Sequence, residues 1–176
     1  SLKRGLDIPI LGSPEQKIYK AREPKTIAIM GTDFNGLKPK MLISEGDKVN
    51  KGTPLFCHKD SPEIIFVSPC KGKVNSINRG ERRTLLSVVI TVESLLDNGV
   101  NYTKLHGNIK SEKEFVRKCL LDSGLWSSFL TRPYSKIPLP DSSPASIFVT
   151  AMDTEPLSPS ADLVINDNLN AFQEGV

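Results

Sequence analysis

The sequence predicts an α+β chain. It reads as an extended arm over residues 1–25, a small β unit over 26–98 in the form of a flattened barrel, and the opening of an α/β unit over 99–176. Two observations predict the β unit. Short apolar runs alternate with turn residues at close intervals through its whole length, and the run Ile43 to Phe56 is answered a dozen residues later by Pro69-Cys70-Lys71-Gly72-Lys73-Val74. The third observation is a change of character after Asn98-Gly99, where strand-like alternation gives way to helical spacing.

Composition sets outer limits. The 176 residues are enough for one domain with a true core, or for one small domain and part of another. A hydrophobic fraction of 38% and a charged fraction of 24% are those of a folded globular chain. The net charge of +3 is too small to point to nucleic acid, because basic and acidic residues alternate instead of gathering in blocks. No apolar run approaches the length of a membrane span, and the first residues contain no apolar export segment. The chain is therefore expected to be cytosolic, or held at a membrane by partners. Cys57, Cys70 and Cys119 form no CxxC pair and no even-numbered framework, so they read as reduced thiols.

The arm, Leu2 to Gln16, is broken by Pro9, Gly12 and Pro14, with Leu6, Ile8 and Ile10 on one side of an extended run. Strands are predicted at Thr26 to Met30, Lys40 to Ser44, Pro54 to His58, Ile64 to Ser68, Gly72 to Asn78 and Leu85 to Val92. Gly46-Asp47 and Lys51-Gly52 supply turns that tolerate positive φ. The last strand, LLSVVITV, is apolar nearly throughout, which predicts burial on both faces, against a companion domain or partner. Arg79, Arg82 and Arg83 around Glu81 are the one local concentration of charge. They read as a solvated hairpin, and as a partner-contact site if that hairpin is exposed.

In the second half, Ser111-Glu112-Lys113-Glu114 has capping-box spacing, and Phe115, Val116, Cys119 and Leu120 form an apolar stripe ended by Gly124. Trp126 and Phe129, three apart on a second short helical piece, read as core. The proline-rich run Lys136 to Pro144 leads into IFVTAM, Ile147 to Met152, which has the composition of a buried strand. Asp153 and Thr154 follow at its carboxyl end. That is where ligands bind in open α/β sheets, although turn chemistry explains the pair more simply. Residues 162–176 begin as a helix without a closing cap, so the chain is expected to end inside an element.

No catalytic constellation emerges. His58 and His106 lie in no metal-ligand spacing and read as surface or satisfied histidines, and no glycine-rich phosphate loop is present. The Gly-Asp turn, the second Gly and the Pro-x-x-Gly-x-Val together resemble the biotinyl/lipoyl hammerhead domains. Those domains carry a cofactor on a lysine at a hairpin tip. Here the tip falls near Lys59-Asp60-Ser61-Pro62-Glu63, the usual Asp-Lys pair is missing and Pro62 stiffens the turn, so Lys59 reads as an ordinary solvated lysine.

Longer blocks resemble one family, the A subunits of the bacterial sodium-translocating NADH:quinone oxidoreductase. They are Arg4-Gly5-Leu6-Asp7 with Pro9 and Gly12 to Gln16; Glu45-Gly46-Asp47 with Val49, Lys51 and Gly52; Arg79-Gly80-Glu81 with Arg83 and Ser87 to Ile90; Gly124-Leu125-Trp126 leading to Thr131-Arg132-Pro133, Ser135-Lys136 and Pro138; and Ala151-Met152-Asp153-Thr154 with Pro156-Leu157. The resemblance implies a biotinyl/lipoyl-like barrel-sandwich domain followed by a Rossmann-like α/β domain. It further implies a peripheral subunit on the cytoplasmic face of the inner membrane, in a complex that uses NADH, flavins, an iron-sulfur centre, sodium and ubiquinone. Those flavins and the iron-sulfur centre belong to other subunits, so this chain is expected to carry no cofactor and no catalytic residue, and to serve in docking or quinone handling. A related Rnf-type electron-transport subunit is the alternative, distinguished by cysteine motifs beyond Val176.

Overall fold

In the computed structural model the described residues are 10–96, 99–151, 153, 155 and 157–175. They form two compact units. One runs from Glu23 to Ser143, and the other joins the described residues up to Arg22 with those from Pro144 onward.

The larger unit holds seven strands: β1 (Thr26–Met30), β2 (Pro39–Met41), β3 (Lys48–Val49), β4 (Pro54–His58), β5 (Ser61–Val67), β6 (Lys71–Arg79) and β7 (Leu85–Ser94). They build a four-stranded sheet in the order β1-β7-β6-β3 and a three-stranded sheet in the order β2-β4-β5, all pairs antiparallel. This is a sandwich of two sheets, not a closed barrel.

The two sequence motifs that predicted the β unit bond to each other. Gly46, at φ 93°, donates its amide to the Val74 carbonyl at 2.8 Å, and Val74 donates to the Asp47 carbonyl at 2.9 Å. Asp47 also accepts the Ser44 amide on its own carboxylate at 2.8 Å, and Glu45 accepts the Ile77 amide at 2.7 Å. Gly52 then donates to Ser68, and Ser68 to Thr53, each at 2.8 Å. The turn residues thus tie the ends of both sheets together, and a backbone group finds its partner at each point.

Between the sheets lies an aromatic centre. Phe56 and Phe66 stack at 4.6 Å between centroids, and Phe34 meets Phe66 edge-on at the same distance. Leu55, Val74, Leu85, Val88 and Ile90 are among the residues of the buried cluster around Phe56 and Phe66. Aromatic pairs in these geometries contribute about 0.5–1.5 kcal/mol beyond the area they bury.

The strand buried on both faces is β4, where Leu55, Phe56 and Cys57 are consecutive and all buried. The sequence placed that property on Leu85 to Val92. There, Leu85, Val88 and Ile90 are buried, while Leu86 is 41% exposed, Val89 is half-buried and Thr91 is exposed. Pairing with β1 and β6 satisfies the backbone of β7 and leaves its outer face to solvent.

Two helices follow in the same unit, α1 (Tyr102–Leu105) and α2 (Glu112–Asp122). The Ser111 hydroxyl accepts the Glu114 amide at 3.4 Å, and the helix gives way at Gly124 in the left-handed conformation, φ 77°. Leu121 joins the core cluster from α2, and Trp126, packed against that cluster, donates its indole N–H to the Pro138 carbonyl at 2.9 Å. The rings of Trp126 and Phe129 stand 5.9 Å apart; both are half-buried, and of the two Trp126 packs against the core cluster, so the pair lies at its edge and not inside it.

The smaller unit contains α3 (Ala161–Ile165) and α4 (Leu169–Gly175). Its two stretches of chain are joined by Gln16, whose side-chain oxygen accepts the amide of Ser160 at 2.8 Å, and the Tyr19 hydroxyl donates to the Glu15 carboxylate. The buried strand predicted at Ile147 to Met152 is not formed over its described residues. Ile147, Phe148 and Val149 are 67%, 89% and 60% exposed and pair with no strand. Their composition reports the capacity for a strand, and a strand needs a neighbouring ladder to satisfy its backbone. Met152 lies outside the described residues.

Candidate functional site

The turn joining β6 to β7 carries the predicted arginine cluster. Its backbone is closed by Gly80 donating to the Thr84 carbonyl at 2.8 Å and by the Thr84 amide and hydroxyl donating to the Glu81 carbonyl at 3.1 and 2.9 Å. Arg79, the last residue of β6, donates a guanidinium N–H across the turn to the Arg83 carbonyl at 3.0 Å. Arg82 and Arg83 both occupy the left-handed region, at φ 53° and 63°. Glycine or asparagine is the usual occupant there, because a β-carbon crowds the neighbouring carbonyl. All three arginines are exposed, and among the described residues none has a carboxylate within ion-pair distance. The cluster foreseen in the sequence is therefore brought together in one turn.

Asp153 belongs to the other unit. Its carboxylate accepts the Glu155 amide at 2.9 Å, and that bond, with a further one from Ser158, holds its pKa below the ordinary 3.8. The side chain is exposed and turns back on its own backbone, which is turn chemistry. Thr154 lies outside the described residues.

At the β4–β5 tip, Lys59 is exposed in a two-residue turn with Asp60. Its amide donates to the Lys38 carbonyl at 2.7 Å, while the Lys38 ammonium pairs with the Asp60 carboxylate at 2.8 Å. That pairing, chiefly the hydrogen bond, lowers the pKa of Asp60.

One cluster has no signature in the sequence. His106, which read as a surface or satisfied histidine, is buried at the end of α1. Its Nε2 lies 2.9 Å from an Asp122 oxygen, at an angle outside that of a hydrogen bond. Asp122 also meets Lys118 one turn back at 3.2 Å, and Cys119 donates its thiol to the Tyr102 carbonyl at 3.7 Å. Burial, and then the Asp122 charge, raise the pKa of the Tyr102 hydroxyl. His106 caps the carboxyl end of α1 and Asp122 is the last residue of α2, so no local spacing announces the pair. α1 and α2 are joined by the hydrogen bond of Cys119 to Tyr102. Among the described residues no group of three or more histidine, cysteine or acidic side chains is placed to hold a metal ion, and no helix is long and apolar enough to cross a membrane.

A two-sheet sandwich laced together through its Gly-Asp and Pro-x-x-Gly turns defines a barrel-sandwich hybrid domain of the biotinyl/lipoyl kind. Residues 1–93 match the family described as the NqrA N-terminal barrel-sandwich hybrid domain, and residues 111–176 match the NqrA second alpha/beta domain. The chain belongs to the NqrA family. It is 47% identical over 99% of its length to the A subunit of the Na(+)-translocating NADH-quinone reductase of Marinomonas sp. (strain MWYL1), covering 39% of that protein. It is 44% identical over its full length to the corresponding protein of Tolumonas auensis (strain DSM 9187 / NBRC 110442 / TA 4), covering 40% of it. The chain thus spans about two fifths of the length of the curated relatives it matches.

Proposed function

We propose that this chain is a segment of the A subunit of a sodium-translocating NADH:quinone reductase, peripheral to the membrane and on its cytoplasmic face. Its role there is to dock onto the other subunits and to support quinone handling, and it carries no redox centre of its own. The observation that carries this reading is the similarity, in order and over nearly the whole chain, to proteins bearing that name. Electron transfer from NADH through flavins and an iron-sulfur centre to ubiquinone, coupled to sodium export, is then the work of the assembled complex.

Within that role the exposed apolar residues Ile147 to Val149, which precede the exposed carboxylate of Asp153 in the chain, are the apolar surface we assign to a quinone ring. Calorimetric titration with a short-chain ubiquinone, run on this chain and on a full-length relative, tests the quinone part. Binding to both, weakened by Phe148→Ser, supports a site in these residues. Binding to the full-length protein alone puts the site outside this segment.

A further inference from the structure

We infer that the β6–β7 turn is a docking point for an acidic protein segment, with Arg82 and Arg83 as the groups that grip its carboxylates. This deepens the docking role proposed above and rests on it only for the identity of the partner. The chemistry stands on the turn itself.

Three cations and one carboxylate share residues 79–83. Glu81 makes no ion pair with any of them, and its backbone carbonyl is used to close the turn. The guanidinium groups of Arg82 and Arg83 have no partner among the described residues, so their donors are free. Arg79 spends one N–H on the Arg83 carbonyl and thereby fixes the backbone from which its two neighbours project.

Two adjacent arginines in the left-handed region are a costly way to build a turn that glycine would build without strain. Nothing inside the unit uses their side chains. The arrangement presents two rigidly based guanidinium forks, and forks pair with carboxylates through two parallel hydrogen bonds each.

A lipid surface is the less fitting occupant. Membrane-surface binding of a basic hairpin draws on apolar side chains free to insert. The apolar neighbour here, Leu86, is 41% exposed with part of its side chain against Gly80, so the turn offers a bilayer one partly covered leucine beside three cations.

The test is fluorescence anisotropy with a labelled oligoglutamate peptide and, in parallel, sedimentation with vesicles of phosphatidylglycerol and phosphatidylcholine, both on the full chain. Replacing both residues, Arg82→Gly with Arg83→Gly, should weaken peptide binding by about tenfold or more and leave or raise the melting temperature. Replacing both with lysine, which keeps the charge and removes the fork, should also weaken it. Lys48→Ala with Lys73→Ala, exposed cations on the same sheet, should change it little.

Equal peptide binding by the glycine variant overturns the inference, and so does equal loss in the Lys48/Lys73 variant. Vesicle binding without peptide binding overturns it in favour of anionic lipid. Arginine-dependent peptide binding together with normal assembly of a complex carrying the glycine variant upholds the chemistry and removes the turn from the docking role.

Discussion

Gly72 faces the carbonyl of Thr91 so closely that a β-carbon built on it would lie 2.1 Å from the Thr91 oxygen. This contact is the physical reason for the glycine in the Pro-x-x-Gly-x-Val motif. β6 crosses onto β7 with a shift of register between Lys71 and Gly72, and a side chain at that step has no room. Gly72→Ala should cost about 1–3 kcal/mol, the usual range for overpacking, read as a lower urea midpoint at unchanged slope. Gly175→Ala, where nothing lies within 4 Å of the added carbon, should leave the midpoint in place.

Phe56 is fully buried and stacked on Phe66. Phe56→Ala should destabilise the unit by about 3–5 kcal/mol, from lost transfer energy and the cavity left behind. Thermal unfolding followed by far-ultraviolet circular dichroism checks this.

Burial on β7 distinguishes neighbouring residues. Val88 is fully buried and Val89 half-buried on the opposite face. Val88→Asp places an unpaired charge in the core and should leave little folded protein, whereas Val89→Asp should yield a folded chain of reduced stability. An LLSVVITV strand interior on both faces would collapse at Val89 as well. The structure corrects that expectation, because composition alone does not say which face of an apolar strand receives the second sheet.

The pH dependence of Asp60 follows from Lys38. Its folded pKa lies below the ordinary 3.8, so the stabilisation is present above that value and is lost as pH falls through the folded pKa. Carboxyl carbon NMR titration should place Asp60 below 3.8, and Lys38→Met should move it upward while leaving Asp153, held by Glu155 and Ser158, where it was.

Thiol accessibility checks the core directly. Cys70 is fully buried, and desolvation raises its pKa from 9.0, while Cys57 is 4% exposed. Cys119 is half-buried at the α1–α2 contact. At pH about 8 a disulfide reagent should therefore modify Cys119 first in the native chain, and the other two only on unfolding.

Much of the β unit was legible because its turns carry their chemistry in the sequence. The bounds of β1 and β4, Thr26 to Met30 and Pro54 to His58, follow from apolar runs closed by turn residues. Lys48–Val49 gives no such signal, because two residues between turn glycines show no alternation. The Ile147 run has a strand's composition, although a strand is defined by a partner that composition does not name. Of the site, the arginine turn was visible as a charge cluster. Its left-handed backbone was not, since only the closed hairpin imposes φ 53° and 63° on those residues. The His106–Asp122 contact required the packing of two helices that no local spacing predicts.

Membership of the sodium-translocating complex is tested with a chimera in which this chain replaces the matching segment of the Marinomonas relative, produced with the remaining subunits in a strain lacking its own NqrA. Sodium-stimulated NADH:quinone reductase activity of the membranes should return to a level comparable with that of the parent protein. A chimera that is folded and copurifies with the complex yet restores no sodium-stimulated activity would contradict the assignment.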